Sequence, residues 1–326
     1  MPSILIEIAC PLCGSSDSRH MFAARDWAFG ITDDQFGVRR CISCSCAFLS
    51  PRPTIDKVAQ YYPPTYYWSL EGTTGDLSWD ELVSRRQIQL EAKAATLAGF
   101  VPGKLLDIGA MKGEFLWYMR SRGWGVEGVE LDNAVPNPQN MSIRHGDFLE
   151  MHFEDASYDV ITLWAVLEHV YEPARFMKKV ARLLKPGGRC VAVVSNFNSL
   201  QARYFRADDY PRHLTYFTKK SVRRLAKAHG LDAERFWTDQ KMYGATLNGM
   251  FVYLLKRIGG YSADETFAEW RQLEHKMLFY GEWRGKPSTF VLNVSRFDRA
   301  VSLIPEKILD ALGLGFNLGF VLYKPA

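Results

Sequence analysis

A chain of 326 residues has room for roughly two domains and a sizeable core. With 47% apolar and 23% charged residues it reads as globular and not as disordered, and a net charge of +4 is too small to call for a polyanionic partner. No apolar run approaches the ~18–20 residues of a membrane-spanning helix, and Met1 to Glu7 lacks the basic and apolar regions of a secretory leader, so a cytoplasmic, reducing location is the expectation.

Five of the six cysteines lie between Cys10 and Cys46. Cys10-Pro11-Leu12-Cys13-Gly14 and Cys41-Ile42-Ser43-Cys44 are two C-x-x-C knuckles separated by a β-rich segment. Each knuckle can turn two thiolates toward one point, and together they complete a tetrahedral Zn²⁺ site. Disulfides are disfavoured in a reducing compartment, and redox chemistry would need only one knuckle. Four thiolates leave the metal no open position, so Cys10, Cys13, Cys41 and Cys44 should hold a structural ion and not activate water. Cys46 reads as a small apolar filler that could exchange with Cys44 as ligand.

Ser50-Pro51-Arg52-Pro53-Thr54 is a stiff exit from this ribbon, expected to span residues 1–53. A helical stretch from Thr54 to Tyr62 then leads into the aromatic run Tyr61 to Trp68. Asp80 to Phe100 has apolar positions at helical spacing, and residues 54–100 form a helical and aromatic linker. The most informative stretch follows. Leu105 to Leu116 reads as a buried strand, a turn bracketed by Gly109 and Gly113, and an amphipathic helix. A second apolar strand, Gly128-Val129-Glu130, ends on an acid. A strand–turn–helix–strand unit with a terminal acid grips a nucleotide ribose, because the turn lets backbone approach the ligand and the carboxylate accepts its hydroxyls. Gly109 and Gly113 are four apart, so the dinucleotide fingerprint cannot be written and NAD is not expected.

Ile143 to Asp147-Phe148 reads as a third strand, Tyr158 to Leu163 as a fourth, and Cys190 to Val194 as a fifth, after a helix that Pro186, Gly187 and Gly188 bring to an end. Leu231 to Thr238 reads as another strand. Residues 245–313 carry long helical patterns, Leu247 to Ile258 and Asp264 to Tyr280 among them, and Phe316 to Tyr323 is again β-like. The expected fold class is α/β, with residues 101–244 as a Rossmann-like core, 245–313 as a helical insertion and 314–326 as the final strand. The aromatic-rich insertion could cap a site, form a homodimer or touch a membrane surface, and the sequence does not choose among these.

The ordered series C-x-x-C-G, C-x-x-C with F-L-x-P-R-P, Y-Y, D-x-G, L-E-H and P-R-H-L-x-x-F-T resembles the bacterial class I S-adenosylmethionine (SAM) methyltransferases that carry an N-terminal zinc ribbon. The resemblance covers about residues 100–240 and implies a seven-stranded sheet whose last strand lies antiparallel between two others. It implies SAM as cofactor, with Asp107, Gly109 and Gly113 at the turn, Glu130 on the ribose, and Asp147 and Phe148 on the adenine. Asp107 would hold the turn and reach the amino acid end of SAM. Met111 departs from the pattern, since many relatives place glycine there. The tyrosine-rich segment reads equally as a packed linker or as a lid over the cofactor cleft, where aromatic faces suit a sulfonium cation.

His213, in the P-R-H-L segment, and His169, in L-E-H, are the candidates for acid–base work, His213 first. Asn196 and Asn198 are substrate contacts or turn residues. Relatives of this kind modify sugars, glycans or other natural products. The long C-terminal catalytic domain of the sugar C-methyltransferases is missing, which favours O-methylation of a small-molecule acceptor. A zinc-ribbon rRNA methyltransferase is the main rival and a non-catalytic SAM-fold binding protein the third reading. Basic residues around the ribbon (Arg19, Arg25, Arg39, Arg40, Arg52) are few for an RNA face, so a nucleic acid partner is not expected.

Overall fold

The computed structural model describes residues 5–26, 29–63, 66, 78–200, 202–203, 208–238, 242–243, 254, 258–260, 297, 300–301 and 305–326. The helical patterns Leu247 to Ile258 (Leu254 and Ile258 apart) and Asp264 to Tyr280, and with them most of the insertion and its roles as cap, dimer contact or membrane contact, lie outside the described residues. So do Pro64, Thr65, Tyr67 and Trp68 of the aromatic run.

Along the chain the strands are β1 (Leu5–Ile6), β2 (Ser18–Ala24), β3 (Phe36–Cys41), β4 (Ala47–Leu49), β5 (Arg52–Pro53), β6 (Lys104–Ile108), β7 (Gly125–Glu130), β8 (Ile143–His145), β9 (Tyr158–Trp164), β10 (Leu184–Ser195), β11 (Thr215–Tyr216), β12 (Asp232–Trp237) and β13 (Asn317–Tyr323). Among the described residues the α-helices include α1 (Trp79–Arg85), α2 (Gln87–Ala95), α3 (Glu114–Arg120), α4 (Pro173–Leu183) and α5 (Lys219–Ala228), and residues 305–311 are helical as well.

Seven strands form one sheet in the order β12-β13-β10-β9-β6-β7-β8, with β13 antiparallel to both neighbours and the remaining pairs parallel. Both faces are covered. Leu106 and Ile108 of β6 and Ile161 and Leu163 of β9 face one cluster with Phe176, Met177 and Val180 of α4. Leu105, Val160 and Val191 face the other, with Leu90 of α2 and Phe115 and Met119 of α3. Near-continuous apolar runs such as Leu105–Ile108 follow from that two-sided burial. β6 and β9 are neighbours from which the strand order runs in opposite directions, so the crevice beyond their carboxyl ends is the expected ligand position.

Several elements differ from expectation. Between Thr54 and Tyr62 only Val58–Tyr61 is helical, as a 3-10 turn. The helix expected from Asp80 to Phe100 is two helices broken at Arg86 (φ −92°, ψ 4°), α1 being closed at its start by a capping box of Ser78 and Glu81. Pro186, Gly187 and Gly188 do not separate helix from strand but lie within β10. Pairing with β9 jumps from Leu184↔Tyr158 to Arg189↔Val160, so the extra residues loop out as a bulge, with Gly187 at φ 81°.

The ribbon is a four-stranded sheet in the order β11-β4-β3-β2. Its fourth strand, Thr215–Tyr216, comes from the segment after β10 and pairs with Phe48 and Ala47. Cys10, Cys41, Cys44 and Phe48 share a buried cluster with Val222 and Leu225 of α5, so ribbon and large sheet are packed on one core.

Candidate functional site

Each knuckle folds the same way. Gly14 N donates to Cys10 O (2.9 Å) and Ser45 N to Cys41 O (3.0 Å), and both donors occupy left-handed backbone, Gly14 at φ 71° and Ser45 at φ 65°. The thiol-bearing turns bring the Sγ atoms of Cys10, Cys13, Cys41 and Cys44 within 4.8 Å of one another. Cys10 and Cys44 are 3.5 Å apart and Cys13 and Cys41 3.6 Å. Zn–S bonds of ~2.3 Å in a tetrahedron set sulfurs about 3.8 Å apart, so the donor set fits that ion. Cys46 is buried outside the set, its Sγ donating to Ala47 O (3.2 Å), and burial pushes its thiol well up.

At the large sheet the glycine turn leaves β6. Gly109 (φ 80°), Met111 (φ 49°) and Gly113 (φ 84°) are all left-handed. A Cβ on Gly109 would stand 2.5 Å from Val166 Cγ2, so a side chain is excluded there by space as well as by φ. Met111 bears roughly 1–2 kcal/mol of strain that glycine would not. Its amide is held by Glu130 Oε2 (2.9 Å), while Glu130 Oε1 accepts from Leu131 N (2.8 Å) and Asp132 N (3.3 Å). The Glu130 carboxylate is thereby oriented at the end of β7.

Asp107 does not hold the turn. Gly109 N and Ala110 N donate to Val129 O, and buried Asp107 accepts from Thr162 Oγ1 (2.6 Å). Burial raises its pKa to about 7, against the hydrogen bond from Thr162 and the charge of Lys93. Sequence reasoning missed Lys93. Its ammonium stands over the rings of Trp164 (5.4 Å), Tyr243 (5.6 Å) and Phe115 (6.0 Å), and burial lowers its pKa to about 8. A lone lysine among the alanines of α2 was the available signal. Beyond β8, Asp147 is exposed and accepts from Leu149 N (2.8 Å). The Phe148 ring packs instead into the core against Phe176 (4.7 Å between centroids) and Phe153 (5.6 Å).

The two histidines meet. Their rings lie edge to face with centroids 4.5 Å apart. His213 Nδ1 is 2.5 Å from Asp208 Oδ1 and 3.0 Å from Ser195 Oγ, at the end of β10. The carboxylate can only accept, so Nδ1 carries hydrogen and Nε2 is the reactive nitrogen. Burial pulls the His213 pKa down, but the charge and hydrogen bond of Asp208, with Asp209 and Glu168 nearby, push it up to about 9. His169 goes the other way. Burial and the His213 charge lower it to about 3, so its ring is neutral. His169 Nδ1 is 3.2 Å from Arg212 O and 3.0 Å from Tyr62 Oη. The carbonyl requires a donor, which again leaves Nε2 with the lone pair. Glu168 is buried, its pKa raised to about 7 by that burial, and among the described residues Glu168 Oε2 and Asp208 Oδ2 meet no hydrogen-bond donor.

Arg212 carries the framework of this cluster. Fully buried, its guanidinium binds Asp26 Oδ1 (2.7 Å), Asp209 Oδ1 (2.6 Å), Tyr61 O (2.9 Å) and Tyr210 O (2.9 Å), while Tyr66 Oη donates to Asp209 (2.9 Å). The aromatic segment thus reaches His169 through Tyr62, and Asp209 through Tyr66. Asn196 is a turn residue: its Nδ2 donates to Gly313 O and Gly315 O and its Oδ1 accepts from Asn198 N.

A seven-stranded sheet with antiparallel β13, and acids and glycines on the carboxyl edges of β6 and β7, is the architecture of the class I SAM-dependent methyltransferases. Residues 78–235, just under half of the chain, match a family described as a methyltransferase domain. Over 120 residues the chain is 32% identical to the ubiquinone biosynthesis O-methyltransferase of Acinetobacter baumannii, a stretch covering 33% of this chain and 49% of that protein. It is 31% identical over 132 residues to the enzyme of the same name from Saccharophagus degradans, covering 37% and 53%. The chain therefore spans about half the length of these curated relatives. Among solved structures, a SAM-dependent methyltransferase from Archaeoglobus fulgidus superposes with a TM-score of 0.45 at 16% identity, covering 79% of this chain and all of that one.

Proposed function

We propose that this chain methylates a hydroxyl group of a small-molecule acceptor, a sugar, glycan or other natural product, with SAM as donor and one structural zinc in the ribbon. The observation that carries the reading is the Asp208–His213 pair at the carboxyl edge of β10, beside the sheet edge that bears Gly109, Gly113 and Glu130. The O-methyltransferase names of the curated relatives accord with it.

When bound, SAM supplies an electrophilic methyl group on a sulfonium. Glu130, fixed by three backbone amides, is proposed to take the ribose hydroxyls, with Asp132 N, its longest partner, yielding a place. Gly109 and Gly113 admit the cofactor close to backbone, and Asp107 with Lys93 borders its amino acid end. Asp147 takes the adenine amine. Phe148, whose ring is enclosed, serves the adenine side through its position after Asp147 and not through a stacking face. His213 Nε2 would take the proton of the acceptor hydroxyl as its oxygen gains the methyl group and the methyl–sulfur bond breaks to leave the neutral thioether, and Asp208 would stabilise the resulting imidazolium. His169, neutral and adjacent, is the second candidate base. Tyr62 and Tyr66 close the site and keep water out.

Incubation of the purified protein with methyl-labelled SAM and a panel of sugars, glycans and phenolic natural products, with products read by mass spectrometry, tests the reading. A methyl ether is the expected product. Transfer to carbon or nitrogen, or into ribosomal RNA in preference to every small acceptor, overturns it.

A further inference from the structure

The chain after β8 is tied down at both ends. Gly146 N donates to Glu130 O (2.8 Å), beside the Glu130↔His145 pair of β7 and β8, so Asp147 follows directly on the strand next to the acid that ends β7. Asp147 O accepts from Glu150 N (3.0 Å) and Met151 N (3.2 Å), which closes one turn, and Asp147 Oδ1 accepts from Leu149 N (2.8 Å). A single turn fixes several dihedral angles for few hydrogen bonds and is unstable alone. Lys179 of α4 holds its far end. The ammonium donates to Leu149 O (3.1 Å), Met151 O (2.5 Å) and Phe148 O.

An ammonium has three donors and no acceptor, so three carbonyls use its whole capacity. Lys179 is buried and, among the described residues, forms no ion pair. Its charge faces the carbonyl end of the turn and the rings of Phe148 (4.7 Å) and Phe153 (5.2 Å). Phe176, three residues earlier on the same side of α4, packs its ring on that of Phe148. One helix therefore grips the turn twice. Burying an ammonium costs desolvation that an apolar side chain in this position would not. A fixed turn, with Asp147 at its start, is what the lysine supplies in return.

We propose that Lys179 is a positioning residue for adenine recognition: by fixing the turn 147–151 it holds the Asp147 carboxylate, with Oδ1 engaged by Leu149 N and Oδ2 left for the adenine amine. This rests on the SAM reading above, in which Asp147 takes that amine. Asp147 is exposed, so its placement depends on the backbone that carries it and not on packing of its own side chain. A carboxylate only accepts, so a base with a carbonyl in place of the amine would meet it acceptor to acceptor.

Calorimetry of the full-length protein with S-adenosylhomocysteine (SAH) and with its inosyl analogue, which has a carbonyl where adenine has the amine, tests the role. SAH should bind about tenfold or more tighter than the analogue, as a charge-assisted hydrogen bond warrants. Asp147→Ala should remove most of that preference, and Lys179→Met should cut it to about threefold or less. Added to Asp147→Ala, Lys179→Met should change the preference no further, because both act through one carboxylate. A role in stability alone would weaken both ligands alike and leave their ratio intact. Should Lys179→Met fail to fold, Lys179→Gln, which keeps two donors on a shorter reach, decides the matter and should lower the preference part of the way. Full preference in the folded Lys179 variant overturns the proposal. So does full preference in Asp147→Ala, which would take away the acid through which the lysine acts. If SAH does not bind the unaltered protein, the SAM reading itself fails and this proposal with it.

Discussion

His213 is subject to opposed pulls, burial favouring the neutral ring and Asp208 the charged one, and the second prevails to about 9. A base held by a buried carboxylate is strong but protonated at neutral pH, so turnover should climb from pH 7 toward 9 as the neutral fraction grows. Stability should run the other way: the ion pair contributes fully below the ordinary histidine value of 6.5 and its contribution is lost as pH rises through about 9. Titration of the imidazole resonances by NMR checks the assignment without any acceptor. His213 should titrate near 9 and His169 should stay neutral above pH 5. Equal midpoints near 6.5 would remove the distinction. In kinetics, His213→Ala should lower turnover by on the order of 10²–10⁴ with SAM affinity nearly unchanged; a collapse in His169→Ala instead would transfer the role. The sequence named both histidines. It could not give their pairing, because Asp208 and Ser195 reach His213 only once β10 and the following loop are folded.

Among the elements, β11 links the sheet that carries the cysteine cluster with the loop that carries His213. Its two residues extend the ribbon sheet, and Leu214 just before it accepts from Leu49 N and donates to Glu168 O. Cys13→Ser should therefore lose zinc by elemental analysis and also speed amide exchange at Leu214 and Tyr216, while Cys190→Ser, confined to β10, should do neither. Metal loss with unchanged exchange would show the ribbon and the His213 loop to be uncoupled. Arg212 ties the same parts from within, and its removal strands buried Asp26 and Asp209. Arg212→Ala should cost about 3–5 kcal/mol in urea unfolding, and a loss below about 1 kcal/mol would mean the pair of ion bridges is not closed in solution. Near-continuous apolar runs made β6, β9 and β10 legible in sequence. A two-residue strand has no periodicity to read, so β11 was missed. The break at Arg86 was missed because it needs no Gly or Pro, and the bulge in β10 because its Pro and Gly look the same as those of a turn.

At the scale of the whole molecule, the cysteine knuckles and the large sheet share a buried cluster that also includes α5. That packing sets the ribbon against the segment after β10, where Thr215–Tyr216 pairs with β4 of the ribbon and Leu214 N donates to Glu168 O. Composition alone foresaw a globular chain with a sizeable core, and the resemblance to a known family implied the sheet topology, down to antiparallel β13. The central claim, that the crevice beyond β6 and β7 binds SAM through Glu130, is tested most directly by titrating the purified protein with SAM and SAH in a calorimeter. Each should bind at one site per chain, NAD should give no heat, and Glu130→Ala should weaken both by about 1–3 kcal/mol, the cost of leaving their polar partners unpaired. No binding of either cofactor form, or unchanged affinity in a folded Glu130→Ala variant, would contradict the account.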